Sequence, residues 1–204
     1  TREQNLYPDK MKVKDVFKWS AGFYPNFDLE YANILAGKFQ LPLNKTVKSL
    51  STGYGSIYKI IVALSCHAPI LLFDEPVLGL DAYHRDLFYK ELLANYSKHP
   101  KTIVISTHLI EEASDLIEKV VIIKEGTVIL DEDTETLLAK GYTVSGPAKR
   151  VDDYIADKEV IGLESLGGLK TAYILGKVNK QELPSGLESS KLDLQKIFIQ
   201  LTNV

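Results

Sequence analysis

One stretch limits the architecture of this chain more than any other. Ile70-Leu71-Leu72-Phe73 is a continuous apolar run that ends abruptly in two carboxylates, Asp74 and Glu75, followed by Pro76. An apolar run of this length without polar alternation predicts a strand buried on both faces. A helical period follows in Phe88, Leu92 and Tyr96, and a second apolar run, Ile103-Val104-Ile105, closes the segment. Strand, helix, strand predicts a parallel pair, because parallel neighbours need a long crossover between them. Open sheets of this kind bind ligands beyond the carboxyl ends of their strands. Asp74-Glu75 stands at one such end and Ser106-Thr107-His108 at the other.

The flanking sequence supports an α/β reading. From Lys10 to Gln40 the pattern is helical, with Val13, Val16 and Phe17 on one face and Tyr31, Leu35 and Phe39 at four-residue spacing. Gly22 to Phe27 reads as a loop, and Asp28 as the N-cap of the second helix. Ile57, Ile60, Ile61 and Leu64 mark a further helix that stops before Pro69. Ile110, Ala113 and Ile117 predict another amphipathic helix, and Val120–Ile123 with Val128–Leu130 predict a hairpin around Lys124-Glu125-Gly126-Thr127. After Gly141 the composition shifts, with glycine and proline punctuating short segments. The expected elements there are a strand over 142–145, a helix over 148–156, strands over 160–163 and 171–175, and a closing helix whose Leu194, Ile197, Phe198 and Leu201 face inward.

Length and composition exclude several classes. A chain of 204 residues can bury a core without staples, as one large domain or a medium domain with a small appendage. Cys66 is the only cysteine, so neither an internal disulfide nor a multi-cysteine zinc site can form, and a reducing compartment fits. The net charge of -3, with charges scattered along the chain, disfavours nucleic acid as the main partner. No apolar run approaches the ~20 residues needed to cross a bilayer. The start, Thr1-Arg2-Glu3-Gln4-Asn5, has no signal-peptide pattern and no Met, so the chain is expected to begin within a longer protein.

Each polar feature has an ordinary structural reading of its own. Ser51 can simply cap the helix that follows, although the N–H groups at that helix start also make an anion site. Asp74 and Glu75 can cap the next helix; alternatively, in nucleotide hydrolases an acid of this kind holds Mg2+ and its neighbour polarises the attacking water. His108 can be structural; changes at His84 and His99, which fall on a helix and a loop, are expected not to impair turnover. Their order and spacing carry more weight: Leu50-Ser51-Thr52-Gly53-Tyr54, then Ile70 to Glu75, then Gly79-Leu80-Asp81, then Ser106-Thr107-His108. In that sequence they resemble the ATP-binding cassette (ABC) ATPases over about residues 1–140. Leu6-Tyr7-Pro8, the Tyr24 to Asp28 loop and the tail after Gly141 look like ATPases of bacterial ABC-2-type exporters.

The resemblance implies a P-loop NTPase fold in three parts: a helical subdomain over 1–48, the C-terminal half of the ATPase core over 49–140 with parallel strands and helices, and a small α/β accessory domain over 141–204. It implies the signature motif at Ser51 and Gly53, Walker B at Ile70–Asp74 with Asp74 on Mg2+, Glu75 as the catalytic carboxylate, Asp81 in the D-loop and His108 as the switch histidine. The Q-loop residue is assigned to Gln4, with Arg2 the competing match. ATP and Mg2+ are the implied cofactors. A second ABC ATPase subunit and an integral membrane permease are the implied partners, at the cytoplasmic face of the cell membrane, with the permease contacted through 1–48. Three departures stand out. No G-x-x-x-x-G-K-[ST] phosphate loop occurs, Gly37-Lys38 being only a decoy. Thr52 and Tyr54 replace the usual Gly and Gln of the signature, and the Q-loop is ambiguous. The chain is thus expected to be a cassette without its N-terminal part, inactive alone. The alternatives are a degenerate or regulatory ABC subunit and an ABC-type ATPase of DNA repair or chromosome structure.

Overall fold

The computed structural model describes residues 7–178 and 183–202. Gln4 and Arg2 lie outside the described residues. The chain divides into two compact units, one up to His108 and one from Leu109.

In the first unit, α1 (Val13–Phe23) buries Val13, Val16, Phe17 and Ser20. Helix α2 (Leu29–Lys38) is capped by Asp28, whose carboxylate accepts the Tyr31 N–H at 2.8 Å. It closes with Gln40 in the left-handed region at φ 50, Gln40 N–H donating to the Gly37 carbonyl and Leu41 N–H to that of Ala36. Helix α3 (Thr52–Ser65) buries Ile57, Ile60, Ile61 and Leu64, as their spacing predicts. Strand β1 (Ile70–Asp74), helix α4 (Ala82–Lys98) and strand β2 (Thr102–Ser106) form the expected crossover, with β1 and β2 parallel and Asp74 level with Ser106.

The expectation of a strand buried on both faces is corrected. Leu71 and Phe73 are buried, Phe73 meeting Phe88 of α4 edge-on at 5.5 Å, whereas Ile70, Leu72 and Val104 are 59%, 75% and 49% exposed. The helices cover one face of this two-stranded sheet, and the apolar residues of the other face meet solvent.

The second unit opens with α5 (Ile110–Ala113), a single turn in place of the amphipathic helix expected through Ile117. Ser114 ends it by donating its hydroxyl to the Glu111 carbonyl at 3.0 Å, a local bond that competes with helix continuation. Strands β3 (Lys119–Lys124) and β4 (Thr127–Asp133) form the expected antiparallel hairpin, followed by α6 (Thr134–Ala139). Strand β5 (Gly141–Pro147), helix α7 (Ala148–Ile155) and strands β6 (Glu159–Leu166), β7 (Leu169–Leu175) and β8 (Glu188–Lys191) build an antiparallel sheet in the order β6-β7-β5-β8. This is a split βαβ arrangement, with β7 inserted between β5 and β6. The polar edge strand β8 has no apolar alternation and was not expected from the sequence.

The last helix, α8 (Leu194–Thr202), closes one core. Leu194 and Ile197 are buried with Leu137, Tyr173 and Leu192, while Ile110, Val120, Leu130 and Leu201 pack around them. Phe198 is half-buried and stands outside this cluster, contrary to its expected place on the inward face. Because that core draws on α5, the hairpin and α6, packing divides the chain at Leu109, ahead of the composition change at Gly141. Among the described residues no helix is long and apolar enough to cross a membrane.

Candidate active site

The apolar pairing of β1 with β2 brings two polar segments to one sheet edge. Asp74 is exposed at the end of β1, level with Ser106, and the Glu75 N–H donates to the Ser106 carbonyl at 2.8 Å. That bond holds Glu75 one step past the strand with a left-handed backbone, φ 47, a conformation that costs a non-glycine residue ~1–3 kcal/mol and collects at functional sites. The turn aims the Glu75 side chain at the end of β2. There Thr107 Oγ1 donates to Oε2 at 3.1 Å, and Nδ1 of His108 lies 2.5 Å from Oε1. Burial pushes the Glu75 carboxyl upward, but the hydrogen bonds from His108 and Thr107 outweigh it and hold the group below its ordinary range. The Glu75 side chain is only 12% exposed and that of His108 58%, so the imidazole is the half of the pair with room to move.

A second polar group forms where α3 and α4 begin. Ser51 caps α3 by accepting the Tyr54 N–H at 3.3 Å, and Asp81 caps α4 by accepting the His84 N–H at 2.9 Å. The two helix starts are in intimate contact: a Cβ on Gly53 would stand 2.7 Å from the Gly79 carbonyl oxygen. Gly79 itself turns at φ 79. Gly53 is therefore needed for close backbone approach, a reason independent of any ligand. Ser51, Gly53 and Asp81 thus sit together, and Asp74, Glu75, Thr107 and His108 sit together. Among the described residues no hydrogen bond joins Ser51 to Glu75.

The residues suit magnesium in a limited way. Among the described residues no group of three or more His, Cys, Asp and Glu side chains is arranged to hold a metal ion. Asp74, an exposed carboxylate at a strand end, matches the one-carboxylate mode in which Mg2+ keeps waters and substrate phosphates as its other ligands. For an anion, the start of α3 offers N–H groups beside the exposed Ser51 cap.

No family model matches the chain. It is similar to the ABC transporter ATP-binding protein YtrB of Bacillus subtilis, 25% identical over 132 residues that make up 64% of this chain and 45% of that protein. It is also similar to an uncharacterized ABC transporter ATP-binding protein of Methanocaldococcus jannaschii, 30% identical over 62% of this chain and 50% of the other. A solved structure of the ATP-binding subunit of an ABC transporter superposes on 66% of this chain and 58% of its own length, with a TM-score of 0.59 and 22% identity. The fold is that of an ABC ATPase domain. The chain spans half or less of the length of these two curated relatives, so it presents this ABC ATPase fold only in part. Within it, the sequence missed two features. The Thr107 hydroxyl donates to Glu75, and His84, given no role in the sequence reading, bridges Asp81 to the end of α2. The first could have been suspected from the strand register, whereas the second joins residues far apart in sequence.

Proposed function

We propose that this chain belongs to the ATP-binding subunit of an ABC transporter and that the intact ATPase couples ATP hydrolysis to transport through a separate membrane permease. It works with a second ABC ATPase subunit at the cytoplasmic face of the cell membrane, and the phosphate loop comes from outside these 204 residues. The observation that carries the reading is the half-buried Glu75 carboxylate, held at the carboxyl end of β1 by a left-handed turn and gripped by Thr107 and His108.

Glu75 is the base. Each of its oxygens already accepts one hydrogen bond; when His108 swings away Oε1 opens to a water whose proton it accepts, while Thr107 keeps the carboxylate oriented through Oε2. His108, once released, is free to donate to a phosphate oxygen. Asp74 would hold Mg2+, which when bound supplies positive charge to the phosphates. Ser51, Gly53 and Asp81 form the surface offered to nucleotide bound by the second subunit. The Q-loop role stays with Gln4.

The test is phosphate release by the intact ATPase with Glu75→Gln: loss of turnover with ATP binding retained is expected, and near-normal turnover would overturn the assignment. A second reading, a non-hydrolysing regulatory ABC subunit, draws support from the absence of a G-x-x-x-x-G-K-[ST] motif in the sequence. It is favoured if the unaltered intact protein binds ATP without turnover.

A further inference from the structure

His84 lies in the first turn of α4 with its side chain only 15% exposed. Its Nδ1 stands 2.9 Å from both carboxylate oxygens of Asp81, and its Nε2 stands 3.2 Å from the Phe39 carbonyl oxygen. The ring stacks on Phe39 at 6.2 Å and 14°, with Tyr54 and Tyr83 edge-on at 6.2 and 5.3 Å. One imidazole thus touches the loop carrying Asp81, the end of α2 and the first turn of α3.

Both hydrogen-bond partners are acceptors. A neutral imidazole has one N–H and one lone pair, so it can satisfy one of them and must turn its lone pair toward the other. Asp81 has no proton to offer at neutral pH: it is exposed, and its carboxyl is held below the ordinary range, first by the His84 backbone N–H and then by the ring. The Phe39 carbonyl belongs to the C-terminal end of α2, whose closing turn uses the carbonyls of Ala36 and Gly37. A cation is favoured at that end by the helix dipole, and the opposing field at the start of α4 is offset by the Asp81 cap. Only the doubly protonated ring makes both bonds.

We propose that His84 is an imidazolium strut, a positioning residue that ties Asp81 to the end of α2 beside Tyr54. The Asp81 loop and the Ser51–Tyr54 turn are held as one piece while the ring carries both protons, and they separate when it loses one. The functional consequence rests on the reading of Ser51, Gly53 and Asp81 as the nucleotide-facing surface; the strut itself does not. The groups facing the ring are Asp81 and Tyr83 from its own helix and cap, Tyr54 from α3, and the Phe39 carbonyl at the end of α2. The adjacent Lys38 is engaged by Glu91 at 2.5 Å.

The test is ring-nitrogen NMR of the 204-residue chain titrated from about pH 5.5 to about pH 9, a window that brackets histidine, alongside amide exchange of residues 79–83 normalised to intrinsic rates. Wild type, Asp81→Asn and His84→Gln are compared. In wild type the protection of residues 79–83 is expected to drop as rising pH takes the second proton from the ring, and to be pH-independent in His84→Gln. A ring that stays singly protonated throughout the titration overturns the proposal, as does loop protection that is the same in wild type and His84→Gln or unchanged in Asp81→Asn. The ring titrations decide the matter even if His84→Gln does not fold. None of these readouts uses nucleotide, so a failure of the ATP reading leaves them intact, and their failure leaves that reading intact.

Discussion

Nδ1 of His108 stands 2.5 Å from Oε1 of Glu75, while Thr107 holds Oε2 from the side at 3.1 Å. A carboxylate gripped at both oxygens is well oriented and poorly placed to take a proton. Under the proposed mechanism, departure of the more exposed partner is what opens it to water.

Glu75→Gln keeps the size and much of the hydrogen bonding of residue 75 and removes its basicity. In the intact ATPase, steady-state phosphate release is expected to fall by roughly 10^2- to 10^4-fold, the range for loss of a general base. His108→Ala should also slow turnover.

The depressed carboxyl of Glu75 makes a pH prediction with a definite sign. A carboxyl whose folded value lies below its ordinary 4.5 contributes stability that is fully present above 4.5 and is lost as pH falls through the folded value. The difference in urea midpoint between wild type and Glu75→Gln should therefore be constant near neutral pH and shrink on acidification below about pH 4.5. A difference that grows on acidification would contradict the hydrogen-bonded pair.

The chain alone is expected not to bind ATP tightly. Asp74 offers a single exposed carboxylate, and no phosphate loop accompanies it in the sequence. Calorimetry of the 204-residue chain with Mg-ATP checks this; micromolar affinity would require a phosphate site built from other residues.

Two glycines of one helix should respond differently to alanine. At Gly53 the new Cβ meets backbone, the Gly79 oxygen at 2.7 Å, and at Gly55 it meets nothing within 4 Å. Overpacking costs ~1–3 kcal/mol, whereas Ala for Gly inside a helix contributes up to ~1 kcal/mol. Thermal melting should show Gly53→Ala lowered and Gly55→Ala unchanged or raised.

In the second unit, Ile197 is 3% exposed in the core closed by α8. Ile197→Ala should cost ~2–5 kcal/mol in urea unfolding. Phe198→Ala should cost less than the ~3–5 kcal/mol typical of a fully buried Phe, because its ring stands outside that cluster.

The elements that could be read from the sequence are those whose signal is local. Caps at Asp28 and Ser51, the spacing of Ile57 to Leu64 and the apolar runs at Ile70 and Ile103 each specify their own segment, and the parallel pair follows from their order. What escaped depends on distant partners. The bare face of Ile70 and Leu72 reflects which neighbours a strand has, a fact its own residues do not carry. Helix α5 yields to a serine hydroxyl at its end, and β8 is recruited by β5 with no pattern of its own. The same division runs through the candidate site: Asp74, Glu75 and His108 stand out by position at strand ends. His84 looks like any polar residue on a helix until α2 is folded against it.

The left-handed backbone at residue 75 sets backbone strain against chemistry at a single codon. Glycine or asparagine there would relax the turn, but either would remove the carboxylate together with its bonds to Thr107 and His108. Under the proposed role of Glu75, selection for that acid holds glutamate in place. A gene copy released from such selection should drift toward glycine or asparagine at this position while the apolar residues of the strand before it persist, leaving a mark of lost activity in the sequence of a protein that still folds.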